Sequence, residues 1–195
     1  EARMRNLNCA VLGASWYVGG ELLRLLAAHP AVATLRAFSE SHAGRPWSAV
    51  HPALLHAAGG AFEAPDARGA AAWADVLFLA LPHGRSQRLV PEIDGAGARL
   101  VIDTAADFRV RDATLVEAFY GPHACLEQLP GWRYGLADVA GARLAGAHRI
   151  AAPGCFALAE SSAGERDSRA AVLVGVTDAR YTPLSGPPRD AAFKA

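Results

Sequence analysis

The 195-residue sequence predicts an α/β fold built on a doubly wound parallel sheet, with helices on both faces. Two observations predict it. Short apolar runs that end at glycine, proline or aspartate are typical of buried parallel strands. Segments whose apolar residues have helical spacing separate these runs along the chain, and this alternation is typical of parallel sheets whose connections cross over as helices.

The first strand, helix and second strand are the clearest elements. Residues 8–12 form an apolar run that ends at Gly13, and residues 21–26 have the spacing of a helix that stops at His29 and Pro30. Residues 32–38 predict the second strand. Together these segments occupy about thirty residues, the usual span of a β-α-β unit.

The next elements are interrupted by an irregular excursion over residues 39–70. Prolines and paired glycines break that segment into short pieces. Residues 76–81 then predict the central strand, ended by Pro82, and residues 85–93 predict a helix. Residues 100–102 predict another buried strand, which ends at Asp103.

The second half of the chain is less regular. Mixed loops follow Arg109, and a short apolar stretch at residues 148–151 is broken by Pro153 and Gly154. The chain turns polar over residues 161–169, residues 171–177 predict one more strand, and the proline-rich end is expected to be loose.

Composition excludes several classes of protein. Apolar residues make up 52%, which suits a folded core, and 19 basic residues balance 19 acidic ones, which argues against nucleic acid or an anionic membrane as a partner. The longest apolar runs are too short to span a bilayer, and residues 1–6 lack a signal-peptide pattern. Three widely spaced cysteines fit a reducing cytosol, so we expect a cytoplasmic protein.

The turn after the first strand predicts a dinucleotide site. It comprises Gly13, Ala14, Ser15, Trp16, Tyr17, Val18 and Gly19. Gly13 allows a tight turn, Gly19 allows helix and strand to pack closely, and the helix N-terminus offers N–H groups to a pyrophosphate. The alternative is a tight turn with no ligand. Trp16 stands where such turns usually carry a second glycine, so we expect it to weaken binding.

The loop after the second strand bears on the choice of cofactor. An acid there would bind ribose hydroxyls, whereas serine and arginine would suit a 2′-phosphate. Residues 39–45 contain both kinds, with Ser39 and Ser41 as the candidate contacts, so the residues alone leave NAD and NADP open. A solvated loop is the alternative reading of these residues.

Two further segments follow the ends of predicted strands, where ligands gather in open α/β sheets. Pro82, His83 and Gly84 should lie beside the cofactor, with His83 either a general base or a turn residue. Asp107 and Arg109 follow the strand that ends at Asp103. Arg109 suits a phosphate or carboxylate, and the competing interpretation is an internal Asp–Arg pair that fixes the loop.

Cys155 is the candidate nucleophile. Pro153 and Gly154 form a sharp turn that can place its thiol at the start of a helix, where the thiol pKa is lowered. Cys9 falls within a strand and is expected to be inert, and Cys125 has no comparable setting. No Cys/His spacing suits zinc, so we expect no metal.

These motifs, in this order, resemble the N-acetyl-γ-glutamyl-phosphate reductases, which are relatives of aspartate-semialdehyde dehydrogenase. The matching segments are residues 13–22, 41–44, 81–84, 103–109, 134–136 and 152–156. The resemblance implies an NAD(P)-binding Rossmann domain over residues 1–152 and only the truncated or divergent start of a second, α+β substrate domain over residues 153–195. It also implies NADPH as the cofactor.

The resemblance also implies an activity in arginine biosynthesis. An N-acetylglutamyl 5-phosphate, bound by Asp107 and Arg109, would be attacked by Cys155 and lose phosphate, and the thioester would be reduced by NADPH to the semialdehyde. Covalent catalysis by a thiol divides one difficult step into two. A homo-oligomer is possible for such a protein.

The chain departs from the family in ways that bear on turnover. Trp16 replaces a glycine, Ala105 replaces a frequent serine, and no histidine follows His148. The likeness fades after about residue 158, so we expect either a fragment or frameshifted product, or a natural truncated relative with little or no turnover. The alternatives are a non-catalytic nucleotide-binding module and the related reductase of carrier-bound aminoadipyl phosphate in lysine biosynthesis.

Overall fold

The computed structural model describes residues 6–55, 59–136, 144–155 and 157. In this part of the chain six strands form one parallel sheet, in the order β2-β1-β3-β4-β6-β5. The strands are β1 (Leu7–Leu12), β2 (Val32–Phe38), β3 (Val76–Leu79), β4 (Leu100–Asp103), β5 (Arg133–Tyr134) and β6 (Arg149–Ala151). The helices are α1 (Tyr17–Ala27), α2 (Ala67–Trp73), α3 (Ser86–Ile93) and α4 (Ala113–Tyr120), with short 3₁₀ segments at Trp47–Ala49, Pro52–Leu54 and Leu126–Gly131.

The sheet reverses its strand order at β1. Val11 pairs with Ala37 of β2 on one side and with Phe78 of β3 on the other. The chain therefore winds outward from β1 to β2, returns past β1, and continues through β3 and β4. In open α/β sheets, the carboxyl ends of the strands at such a reversal enclose the ligand crevice.

Side chains that alternate along the strands form two separate cores. Leu12 of β1 packs with Val90 of α3 and Val116 of α4 in one cluster. Val11, its neighbour, packs with Leu23 of α1 in the other. Because successive strand residues point to opposite faces, the sheet is covered on both sides. The doubly wound architecture predicted from the sequence is confirmed.

Two helices were missed at the sequence level, although both carry starting signals. The Asp66 carboxylate accepts a hydrogen bond from the Gly69 N–H at 2.8 Å and so caps α2, which lies partly within the predicted irregular excursion. The Asp112 carboxylate accepts from Thr114 N and Leu115 N and caps α4 within the predicted mixed loops. Such caps satisfy the unpaired N–H groups of a helix start.

Other element boundaries differ slightly from expectation. β3 ends at Leu79 rather than at residue 81. Across the predicted excursion, β-bridges join Phe38 to Glu63 and Pro46 to Ala61. The predicted strand at residues 171–177 and the polar stretch before it lie outside the described residues. Within the described part of the chain, no helix is long and apolar enough to cross a membrane.

Candidate functional site

A cavity of about 490 Å³ opens at the carboxyl edge of the sheet, beside the strand reversal. It brings together three segments predicted to bind the cofactor: the turn after β1, the loop after β2 and the loop after β3. The predicted residues that line it are Gly13, Ser15, Trp16, Ser39, Ser41 and Pro82. The position is the one expected for a dinucleotide in an open α/β sheet.

The two glycines of the turn are required by close packing. Gly13 has a φ of +77°, and a Cβ atom there would lie 2.3 Å from the carbonyl oxygen of Ala80. A Cβ atom on Gly19 would lie 2.6 Å from the Cα atom of Ala14, which is itself fully buried. The turn therefore presses α1 against the strand ends, as a phosphate-binding turn of this type does.

The N-terminus of α1 has the properties of an anion site. Its N-cap residue, Trp16, provides no side-chain cap, and no acidic residue lies in the first turn. The first N–H groups of a helix lack intrahelical partners, and the helix dipole adds partial positive charge. The residues present therefore fit the pyrophosphate of a dinucleotide.

Trp16 occupies its position without backbone strain. Its φ of −78° and ψ of 164° are extended values that any residue adopts, so the backbone does not require glycine there. The indole is 60% exposed and lines the cavity. Tyr17 and Val18, two further predicted cofactor contacts, are exposed, and neither lines this cavity.

Ser39 joins the loop after β2 to the turn after β1. It is buried, its hydroxyl donates to Ser15 Oγ at 2.8 Å, and its oxygen accepts from the His42 N–H at 3.2 Å. The Ser41 hydroxyl is 2.8 Å from His42 Nδ1. Ser15, Ser39 and His42 thus fix the loop beside the cavity, with Ser41 at its rim.

Charges of both signs lie at the cavity mouth. Glu40 from the loop after β2 faces Arg85 from the loop after β3 at 4.0 Å, and both side chains are exposed. Arg88 and Glu92 of α3 also line the cavity. An acid suited to ribose hydroxyls and arginines suited to a 2′-phosphate are therefore both present.

Hydrogen bonds join the loop after β4 to the loop after β3 and to the start of α3. Ala106 donates its N–H to His83 Nδ1 at 2.9 Å, which requires an unprotonated Nδ1. Asp107 is buried, and its carboxylate accepts from Gly84 N at 2.7 Å and from Gln87 N at 3.0 Å. Asp107 therefore holds the start of α3 in place.

Arg109 links the loop after β4 to the turn that carries Cys155. Its Nε donates to the Ala152 carbonyl at 2.8 Å, and its Nη2 donates to the Thr104 carbonyl at 2.8 Å. Its Nη1 lies so close to Gly154 that a Cβ atom there would be 3.0 Å away. Among the ion pairs of the described residues, Arg109 forms none with Asp103 or with Asp107, so the alternative of an internal Asp–Arg pair is not found there.

Cys155 differs from the other two cysteines in exposure. It is exposed and is the first residue after β6 with helical conformation, following the irregular residues 152–154. Cys125 is buried, and burial raises the pKa of its thiol to about 11. Burial, with a smaller contribution from the charge of Asp75, also raises the pKa of Cys9. Cys155 is thus the thiol that reagents in solution can reach.

From the sequence, Asp103 is expected to end a strand and to open the segment with the candidate Asp–Arg pair, and it is given no further role. Its side chain is fully buried at the end of β4, and Ser86 donates its hydroxyl to Oδ1 at 2.6 Å. Desolvation by burial raises the pKa of Asp103 to about 7, against the smaller lowering effects of its hydrogen bonds. The sequence signal that points to a role for Asp103 is its position as an aspartate directly at the end of an apolar strand.

The family described as semialdehyde dehydrogenase, NAD binding domain, matches residues 8–147. The chain belongs to this family. The match begins in β1 and includes the turn from Gly13 to Gly19, the loop after β2 and the loops that contain His83 and Arg109. The family match therefore covers the turn and loops that line the cavity at the strand reversal.

Curated relatives include the N-acetyl-gamma-glutamyl-phosphate reductase of Acidothermus cellulolyticus, which is 46% identical over 157 residues, covering 79% of this chain and 43% of the relative. The [LysW]-L-2-aminoadipate 6-phosphate reductase of Deinococcus radiodurans is 42% identical over 151 residues, covering 76% of this chain and 42% of the relative. The chain therefore spans less than half the length of the curated relatives it matches.

A solved structure shares the fold. The crystal structure of aspartate semialdehyde dehydrogenase II from Vibrio cholerae, complexed with ASA, aligns with a TM-score of 0.56 at 18% identity, covering 90% of this chain and 47% of that one. As for metals, no cluster of three or more His, Cys, Asp or Glu side chains suited to an ion occurs among the described residues.

Proposed function

We propose that the chain is the cofactor-binding part of an NADPH-dependent N-acetyl-γ-glutamyl-phosphate reductase, which converts N-acetylglutamyl 5-phosphate to N-acetylglutamate 5-semialdehyde and releases phosphate. One observation carries the proposal. The exposed Cys155 lies on the turn after β6, at the same sheet edge as the cofactor cavity, and Arg109 binds that turn to the loop after β4. The reductases at 45–46% identity support the choice of substrate.

Cys155 would act as the nucleophile. Its thiolate attacks the carbonyl carbon of the acyl phosphate, a carbon–sulfur bond forms, and the carbon–oxygen bond to phosphate breaks, which leaves a thioester. Because Cys155 is exposed, its thiol is accessible to the acyl phosphate. When bound, NADPH supplies the hydride that reduces the acyl group.

Arg109 is the candidate group for the departing phosphate or for a substrate carboxylate. Nε and Nη2 are held by the Ala152 and Thr104 carbonyls, and Nη1 lies beside Gly154, one residue before the thiol. A guanidinium fixed on two sides needs little reordering to bind an anion on the third. Asp107 would act through its hold on Gly84 and Gln87 rather than by direct contact with substrate.

The cofactor assignment also rests on the cavity rim. Ser41, Arg85 and Arg88 supply the hydroxyl and guanidinium groups that suit a 2′-phosphate, whereas Glu40 suits a free ribose. We assign NADPH because the two guanidinium groups and the Ser41 hydroxyl together outnumber the two acids that line the cavity, Glu40 and Glu92. A reductase of this kind would act in the cytoplasm, where reducing conditions preserve a thiol, and would tolerate assembly into a homo-oligomer.

The proposal is tested by single-turnover acylation. The chain is incubated with N-acetylglutamyl 5-phosphate, and its intact mass is measured before and after hydroxylamine, which cleaves thioesters. We expect one acyl adduct in the wild type and in Cys125→Ser, and none in Cys155→Ser. NADPH binding without any adduct in the wild type would overturn the reductase proposal in favour of a non-catalytic binding module.

A second candidate is the reductase of carrier-bound aminoadipyl phosphate, favoured by the Deinococcus radiodurans relative. Phosphate-dependent reduction of NADP⁺ distinguishes the two, with N-acetylglutamate 5-semialdehyde and the carrier-bound aminoadipate semialdehyde as alternative substrates. The primary proposal predicts that any signal comes from the first substrate and disappears in Cys155→Ser. A signal from the carrier-bound substrate alone would establish the second candidate.

A further inference from the structure

Asp103 joins three elements at the carboxyl edge of the sheet. Its Oδ1 accepts from the hydroxyl of Ser86, the first residue of α3, at 2.6 Å and from the N–H of Ala105 at 3.1 Å. Its backbone carbonyl accepts from the N–H of Ala152, directly after β6, at 2.7 Å. Asp103 and Ser86 are both fully buried, so these contacts are shielded from water.

The hydrogen bonds of Asp103 are distributed unequally between its two oxygens. Both donors to the carboxyl, the Ser86 hydroxyl and the Ala105 N–H, reach Oδ1, whereas Oδ2 is buried with no hydrogen-bond partner. An ionised carboxylate would leave charge on a buried oxygen that has no donor, which is far more costly than an unpaired neutral hydroxyl. A neutral carboxylic acid fits the site, with its carbonyl at Oδ1 and its hydroxyl at Oδ2.

The charges around Asp103 do not offset the preference of the site for the neutral carboxylic acid. Asp107, on the loop after β4, raises the pKa of Asp103, and Arg109 on the same loop lowers it, while Ser86 is the group that faces it from α3. Desolvation is the largest cause, and the resulting pKa is about 7. The neutral and ionised forms of Asp103 therefore interconvert near physiological pH.

The loop that follows Asp103 carries much of the candidate site. Ala106 N–H binds His83, Asp107 binds the loop after β3, and Arg109 binds the Thr104 and Ala152 carbonyls. Asp103 also pairs in register with Ala151, four residues before Cys155. A change at Asp103 would thus reach both the arginine and the thiol through directly bonded neighbours.

We propose that Asp103 is a positioning residue of this site: as a neutral acid it holds α3, the loop after β4 and the Cys155 turn together, and its ionisation weakens that arrangement. The proposal depends on the proposed function only in treating Cys155 as the reactive group.

Amide resonances followed by NMR test the first half of the proposal without any substrate. In the wild type, we expect the backbone amide resonances of Ala105, Arg109 and Ala152 to shift together with pH, with a midpoint near pH 7. The titration should disappear in Asp103→Asn, whose amide oxygen can accept both hydrogen bonds without ionising. It should persist in His83→Gln, the control for the histidine on the neighbouring loop.

The pH dependence of Cys155 alkylation by iodoacetamide tests the second half. Two ionisations, those of the thiol and of Asp103, should be needed to fit the pH dependence of the alkylation rate in the wild type. One ionisation, that of the thiol, should be enough in Asp103→Asn. At pH 6 the alkylation rate of Cys155 in Asp103→Asn should stay within about twofold of the wild-type rate, because the amide oxygen replaces the Oδ1 acceptor. In Asp103→Ala, which lacks this acceptor, the rate should differ from the wild type by more.

The outcomes separate this proposal from the proposed function. A titration that vanishes in His83→Gln but persists in Asp103→Asn would overturn the assignment to Asp103. Amide titration without a second ionisation in the alkylation profile would overturn the link to Cys155. If the amide titration and the second ionisation in the alkylation profile are both observed but Cys155 is not acylated, only the reductase proposal is contradicted.

Discussion

Replacement of Asp103 by asparagine has a consequence for stability that can be worked out from the structure. Burial raises the pKa of Asp103 from 3.8 to about 7. The folded state therefore binds this proton more tightly than the unfolded state, and the stabilisation is complete below pH 4 and lost as pH rises through 7. At about 1.4 kcal/mol per tenfold change in proton affinity, the loss is about 4 kcal/mol.

Asparagine cannot ionise, so Asp103→Asn should escape this loss. We expect the free energy of unfolding of the variant, measured relative to wild type, to improve by about 4 kcal/mol between pH 4 and pH 8. The comparison uses urea unfolding at fixed ionic strength, followed by circular dichroism. Taking the difference at each pH cancels the groups that titrate in both proteins.

Glu63 supplies a control, because its contribution to the free energy of unfolding changes with pH in the opposite direction. Its hydrogen bond to Arg36 lowers its pKa, so its stabilisation is present above the unfolded pKa and is lost as pH falls. Glu63→Gln should therefore lose relative stability as pH rises, by less than about 1 kcal/mol because the pair is partly exposed. A flat difference for Asp103→Asn, with this control intact, would refute the neutral-acid account.

Three other substitutions or comparisons test the cofactor turn and the thiol. Gly13→Ala should destabilise the fold by about 2–4 kcal/mol in urea unfolding, since its Cβ would lie 2.3 Å from the Ala80 carbonyl oxygen at a φ of +77°. Trp16→Gly should tighten NADPH binding several-fold by calorimetry because it clears the cavity mouth, and equal affinities would contradict a blocking role. In native protein at pH 7.5, iodoacetamide should label Cys155 well before Cys125, whose burial raises its pKa to about 11; comparable rates would argue against an accessible thiol.

The β-α-β unit was predictable because local signals and tertiary structure agree there. Residues 32–38 form β2 with the predicted bounds, and Gly13 takes the positive φ that its position before the turn required. The strands β3 and β4 were equally clear because fully buried parallel strands are continuous apolar runs. Hydrophobic patterning thus specified the sheet edge on which the site lies.

The missed features depend on contacts between distant segments. α2 is short and alanine-rich, with little amphipathic pattern, and its cap at Asp66 was the available signal. The hydrogen bonds of Asp103 and Asp107 could not be predicted, since their partners Ser86, Gly84 and Gln87 lie on α3 and on the loop before it. Spacing along the chain shows which residues share a sheet edge, but only packing decides which atoms donate and accept there.

The location of the dinucleotide is tested most directly by titrating the isotope-labelled chain with NADPH and mapping amide shift changes. We expect changes at residues 13–19, 39–41 and 81–85, around the 490 Å³ cavity. We expect no changes around the cavity at the opposite sheet edge, lined by Leu7, Asp75, Arg99 and His148. Changes clustered at that opposite edge, or none at millimolar NADPH, would contradict this location of the dinucleotide.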